Sequence, residues 1–209
     1  MCRKTERENW EHVIAVTNRK LTARPYMEQI ERICLKRPEA VLVREKDLSE
    51  EEYGRLASEV YAICKRYEVP CIYHTFVQAA REAGAAAIHL PLPLLRKHGG
   101  KKGLPEFPVI GASVHSLEEA KEAELLGVSY LTAGHIYQTD CKKDLKPRGL
   151  GFLREVCQSV SVPVYAIGGI HMGSGQMEEV MQAGAAGGGV LSGGMRGENK
   201  RLWAVRIFL

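Results

Sequence analysis

Eight short, nearly uninterrupted apolar runs, at 12–17, 40–43, 70–73, 87–90, 108–113, 128–134, 163–168 and 187–191, set the tightest limit on how this chain can fold. They are rich in Val, Ile and Ala and lack the period-two alternation of a half-buried strand. Each therefore reads as a strand covered by helices on both faces, and the sheet is expected to be parallel. Helical periodicity fills the gaps between them. Over 49–67, Tyr53, Leu56, Ala57, Val60, Tyr61, Cys64 and Tyr67 recur at helical spacing, and Ser49 with Glu52, like Ser116 with Glu119, has the spacing of a capping box. Further helices are expected at 24–36, 75–83, 93–97, 150–158 and 174–183. Eight strand–helix units in 209 residues leave about 26 residues per unit, near the small end for an α/β fold of the (β/α)8 TIM-barrel type. An open doubly wound sheet would carry its glycine-rich fingerprint after the first strand, where the sequence TNRKLTARP has no glycine.

One domain is expected over 1–209, with an N-terminal arm at 1–11 and a tail or shortened last helix at 196–209. Leu202, Trp203, Val205 and Phe208 in that tail could cap the barrel wall or pack on a partner, so a homo-oligomer is compatible with the sequence. Lys and Arg number 29 against 25 Asp and Glu, a net charge of +4 that is spread along the chain, so no nucleic-acid footprint is expected. No apolar run approaches the roughly 20 residues of a membrane span, and the charged start MCRKTERENW is not a secretory signal. The six cysteines show no zinc spacing, which suits a reduced, cytoplasmic setting.

In such a barrel the chemistry gathers where strands end and loops toward the helices begin. Those positions hold Arg44 and Lys46 after strand two, Ser113 in strand five, and His135, Thr139, Cys141 and Lys142 after strand six. Of the 21 glycines, 14 fall from Gly134 onward, which concentrates them in the units that bind phosphate in many barrels. Gly168, Gly169, Gly189, Leu191 and Ser192 are the candidate phosphate contacts, through backbone amides that can approach an anion closely. His135 is the candidate general acid/base, because an imidazole takes and returns a proton near neutral pH. Cys141 beside Lys142 is a weaker nucleophile candidate, and His74, His89, His115 and His171 read as structural. Thr75, Leu90, Leu92 and Leu94 stand in the loops where carboxylates for a divalent cation would be needed, so neither a metal nor a cofactor is expected.

The segments 13–17, 42–48, 111–116, 166–170 and 189–192 together resemble the thiamine phosphate synthase superfamily over roughly residues 12–197. The loop from Gly134 through Lys143, with Arg148-Gly149 beyond, resembles its thiazole tautomerase (TenI) branch. Synthases of this superfamily carry Gly-Pro-Val-Phe after strand six, where this chain has His135. They hold a magnesium diphosphate with Asn-Asp after strand three and Asp after strand four, where this chain has His74-Thr75 and Leu94. Leu42 stands in place of the glutamine of their QLREK motif, with Arg44 and Lys46 retained. The resemblance implies an isomerase acting on a thiazole carboxylate phosphate, with His135 relaying the proton, Arg44, Lys46 or Lys142 facing the carboxylate, and Ser113 and Thr139 lining the site. The alternatives are a synthase joining pyrimidine diphosphate to thiazole phosphate, and a non-catalytic barrel that binds such phosphates.

Overall fold

A computed structural model describes residues 9–139 and 145–196. The strands are β1 (Val13–Val16), β2 (Ala40–Val43), β3 (Cys71–His74), β4 (Ala87–Pro91), β5 (Val109–Val114), β6 (Tyr130–Gly134), β7 (Val164–Ile167) and β8 (Gly187–Val190). Each pairs in parallel with its sequence neighbour, and β8 closes on β1 through Ile14 opposite Gly189. The expected (β/α)8 TIM barrel is what the chain forms.

Alternation along each strand sorts the apolar side chains into two cores. Val13, Ala15, Val41 and Val43 face the helices, while Ile14, Val16, Ala40, Leu42, Ile72, Ala87, Tyr130 and Tyr165 fill the barrel. Both faces are dry, which explains the unbroken apolar runs in the sequence.

The helices are α1 (Tyr26–Cys34), α2 (Glu50–Arg66), α3 (Val77–Glu82), α4 (Leu92–Lys97), α5 (Gly100–Gly103), α6 (Leu117–Leu125), α7 (Gly149–Ser159), α8 (Gln176–Gln182) and α9 (Ser192–Arg196). Helix α2 has the full capping box at Ser49 and Glu52, with Glu50, Glu51 and Glu52 in its first turn and Lys65 and Arg66 in its last, matching the helix dipole at both ends. At α6 only half of the expected box forms. Ser116 accepts the Glu119 amide at 3.1 Å, but the Glu119 carboxylate takes the amide of His115 instead, one residue before the cap. Helix α9 follows β8 in a glycine-rich stretch for which the sequence pattern set no helix, and Gln29 of α1 ties it down by donating to the Gly194 carbonyl at 2.6 Å. No helix among the described residues is long and apolar enough to cross a membrane. The expected tail contacts at Leu202, Trp203, Val205 and Phe208 lie outside the described residues.

Candidate active site

The C-terminal ends of β1 and β2 are joined through Glu45, a carboxylate only 2% exposed. It accepts hydrogen bonds from the Thr17 hydroxyl at 2.8 Å, the Arg19 amide at 2.9 Å, the Tyr26 hydroxyl at 3.2 Å and the Arg19 guanidinium at 3.2 Å. Thr17 in turn accepts the Arg44 amide at 3.0 Å, so the backbone of Arg44 is fixed by the same cluster. Glu45 was not among the candidates that the sequence singled out, although it stands between Arg44 and Lys46. In the structure Asp47 pairs with Arg19 and Lys20, each at 2.7 Å, and these cations hold its carboxyl well below the usual carboxylate range. Arg44 is half-buried and Lys46 exposed at the barrel end.

Two histidines from adjacent strands lie beside them. His74 and His89 are 4% and 1% exposed, with nearly parallel rings whose centroids are 5.7 Å apart. Burial holds both neutral. His74 is pushed down to about 2, with further contributions from His89, Lys46 and Arg44, and His89 to about 3, with a contribution from Lys46. The charges of Arg44 and Lys46 thus fall on the imidazole pair. His89 also meets Ser113 of β5, with Nε2 2.8 Å from the serine oxygen, and Thr132 of β6 donates to the same oxygen at 3.3 Å. The sequence pointed to Arg44, Lys46 and Ser113 separately; the histidines that join them read as structural because their neighbours lie on other strands.

A second group forms where β6, β7 and β8 end. His135 is 6% exposed, and its Nε2 donates to the Leu145 carbonyl at 3.3 Å while its own carbonyl accepts the Arg148 amide at 3.0 Å. Gly168 and Gly169 have φ of +96° and +73°, a region that disfavours side chains. A Cβ on Gly168 would fall 2.4 Å from the His135 Cβ, and one on Gly169 would fall 2.4 Å from the Gln138 carbonyl oxygen. These glycines therefore admit the β6 loop as it crosses the end of β7. Gly189 closes β8 against Ile167, half-buried Leu191 follows, Ser192 opens α9, and half-buried Thr139 lies on the β6 loop. Lys142 and Cys141 lie outside the described residues.

The magnesium of the synthases that the sequence resembles does not fit these side chains. His74, Thr75 and Leu94 offer no carboxylate, and the His74 Nδ1 is engaged by the Thr75 hydroxyl at 2.6 Å. Among the described residues no group of three or more His, Cys, Asp or Glu side chains is placed to hold a metal ion.

The chain is thus a (β/α)8 barrel with a cationic edge after β2 and neutral polar groups along β3 to β6, a class of fold that hosts many functions. The chain belongs within it to the thiamine monophosphate synthase family, whose sequence model matches residues 13–193. It is 37% identical over 156 residues to "Putative thiamine-phosphate synthase 2" of Aquifex aeolicus, covering 75% of this chain and 83% of that protein. It is 35% identical over 153 residues to the thiamine-phosphate synthase of Coprothermobacter proteolyticus, covering 73% and 72%. The solved thiamine phosphate pyrophosphorylase of Pyrococcus furiosus superposes with a TM-score of 0.73 at 29% identity, covering 88% and 87%.

These relatives overturn the isomerase expected from the sequence, since they are named as synthases, which are transferases, and not as tautomerases. The isomerase expectation rested on His135. Its ring donates to a carbonyl of its own loop and its backbone accepts Arg148, so the residue anchors the β6 loop whether or not it exchanges a proton.

Proposed function

We propose that this chain is a transferase of the thiamine-phosphate synthase kind, joining a pyrimidine carried on a diphosphate to a thiazole phosphate with release of the diphosphate. The observation that carries the reading is the pairing of Arg44 and Lys46 with an imidazole pair held neutral, in a chain that is a family member over 13–193. Negative charge grows on a diphosphate as its bond to carbon breaks, and fixed cations beside a low-dielectric floor stabilise that charge as it forms. Replacing carboxylates by His74, Thr75 and Leu94 removes the negative charge a divalent cation would have to balance. Arg44 and Lys46 then contact the anion directly.

In this reading the thiazole phosphate sits at the ends of β7 and β8 against the backbone of Gly168, Gly169, Gly189, Leu191 and Ser192. Ser113 and Thr139 line the space between the two anions, and His135 anchors the β6 loop beside it through Leu145 and Arg148. The reducing cytoplasm is the matching compartment, in which Cys34 and Cys64, their sulfurs 3.8 Å apart, stay as thiols.

The test is incubation of the purified protein with both substrates and detection of thiamine phosphate. Product above the uncatalysed background supports the reading, and its absence at any magnesium concentration contradicts it. A second reading, a barrel that binds these phosphates without turnover, is favoured by the same substitutions at His74, Thr75 and Leu94; binding of both substrates without product would establish it.

A further inference from the structure

Away from the barrel mouth, three thiols from three elements meet in the core between the helices and the outer face of the sheet. Cys34 ends α1, Cys64 lies in the last turn of α2 and Cys71 opens β3. Cys34 and Cys64 are fully buried, and their sulfurs are in contact at 3.8 Å. The Cys34 thiol is pushed up by that contact and by burial. The Cys64 thiol is also pushed up on balance, the lowering effect of Cys34 being outweighed by Cys71 and burial. Neither is a thiolate while the core is closed, and the thiolate is the form that reacts.

The two cysteines differ in how firmly they are held. The Cys64 carbonyl accepts the amides of Tyr67 at 3.1 Å and Val69 at 3.0 Å, which fixes the turn into β3. Cys34 is the last residue of its helix, and Leu35, Lys36 and Arg37 beyond it are exposed, Leu35 at 66%. Helix ends open locally at far lower cost than the core. An opening there uncovers Cys34 and leaves Cys64 in place.

We infer that Cys34 and Cys64 are a dithiol that closes to a reversible disulfide when a low-molecular-weight disulfide, RSSR, is the oxidant. With the end of α1 open, Cys34 gives its proton to water and its thiolate attacks one sulfur of RSSR. The S–S bond breaks, Cys34–S–SR forms, and the released thiolate takes up a proton. On reclosing, Cys64 attacks the Cys34 sulfur of this mixed disulfide and the second RS group leaves with the Cys64 proton. Two protein thiols lose two electrons and two protons, and RSSR becomes two RSH. The bond joins the end of α1 to the last turn of α2 and closes a loop over residues 34–64, which contains β2, Arg44 and Lys46. Such a cross-link restricts the unfolded chain and so stabilises the fold. The pair braces the helices behind β2 when the surroundings turn oxidising, whatever the barrel binds.

The test is incubation of the purified, fully reduced protein with oxidised glutathione, alkylation of the remaining thiols and peptide mapping without reduction. The expected result is a linked pair of peptides carrying Cys34 and Cys64 that dithiothreitol separates. The urea midpoint of the linked protein should rise by about 1 M over that of the reduced one. Glutathione adducts without that link, or a link from Cys64 to Cys71 in its place, would overturn the inference. So would a link between Cys34 and Cys64 that leaves the midpoint unchanged or lowers it, since the native geometry would then strain the bond. Cys34→Ala and Cys64→Ala should each abolish the link and the rise; should either variant fail to fold, the map of the native chain decides alone.

Discussion

The Thr17 hydroxyl donates to Glu45 at 2.8 Å and accepts the Arg44 amide at 3.0 Å, so one side chain on β1 links a buried carboxylate to the backbone of a cation on the next loop. Glu45→Ala would leave the Thr17 hydroxyl, the Tyr26 hydroxyl and the Arg19 amide without their acceptor. Urea unfolding should show a loss of about 2–4 kcal/mol, and anion binding should weaken as Arg44 loses its anchor. A loss below about 0.5 kcal/mol, the range of ordinary surface substitutions, would contradict this role.

Tyr53 does comparable work between β2 and β3. Its hydroxyl donates to the Val43 carbonyl at 2.9 Å and accepts the His74 amide at 2.7 Å. Tyr53→Phe preserves the ring packing on Tyr73 and Phe76 but leaves two buried backbone groups unpaired. The expected destabilisation is about 1–3 kcal/mol, read from the denaturant midpoint at unchanged slope.

The neutral histidines predict a pH dependence. His74 and His89 are held down at about 2 and about 3 in the folded chain, whereas an unfolded histidine titrates at about 6.5. Between those values the unfolded state binds more protons than the folded one, so stability is fully present above about pH 6.5 and falls as the pH drops below it. Each histidine contributes a slope of about 1.4 kcal/mol per pH unit. Melting temperatures of the native protein should fall more steeply from pH 6.5 to pH 5 than those of a His74→Gln, His89→Gln variant. Parallel curves would show that the imidazoles are charged in the fold.

Much of this architecture is legible in sequence because it is local. The eight apolar runs became the eight strands, and Ser49 with Glu52 formed its cap, since period and capping spacing depend on neighbours along the chain. The polar network is not local. His89, Gly111 and Tyr130 become neighbours only once register sets them side by side across β4, β5 and β6, and Gly111 carries no sign in the sequence that two side chains meet over it. Glu45 lies in the charged run Arg44-Glu45-Lys46-Asp47, which looks like solvated surface until Thr17 and Tyr26 close on it. His135 stands out in sequence because it follows a strand, whereas the bonds that tie its ring and backbone to Leu145 and Arg148 depend on the fold of its loop and leave no mark in the spacing.

The most direct test of the account is calorimetric titration of the protein with inorganic pyrophosphate, once in excess magnesium and once in EDTA. Direct contact with Arg44 and Lys46 predicts affinities that agree within about twofold, and a loss of about tenfold or more for Arg44→Gln or Lys46→Gln, as for other hydrogen bonds to charged groups. Binding that appears only with magnesium, or that is indifferent to both cations, would contradict it.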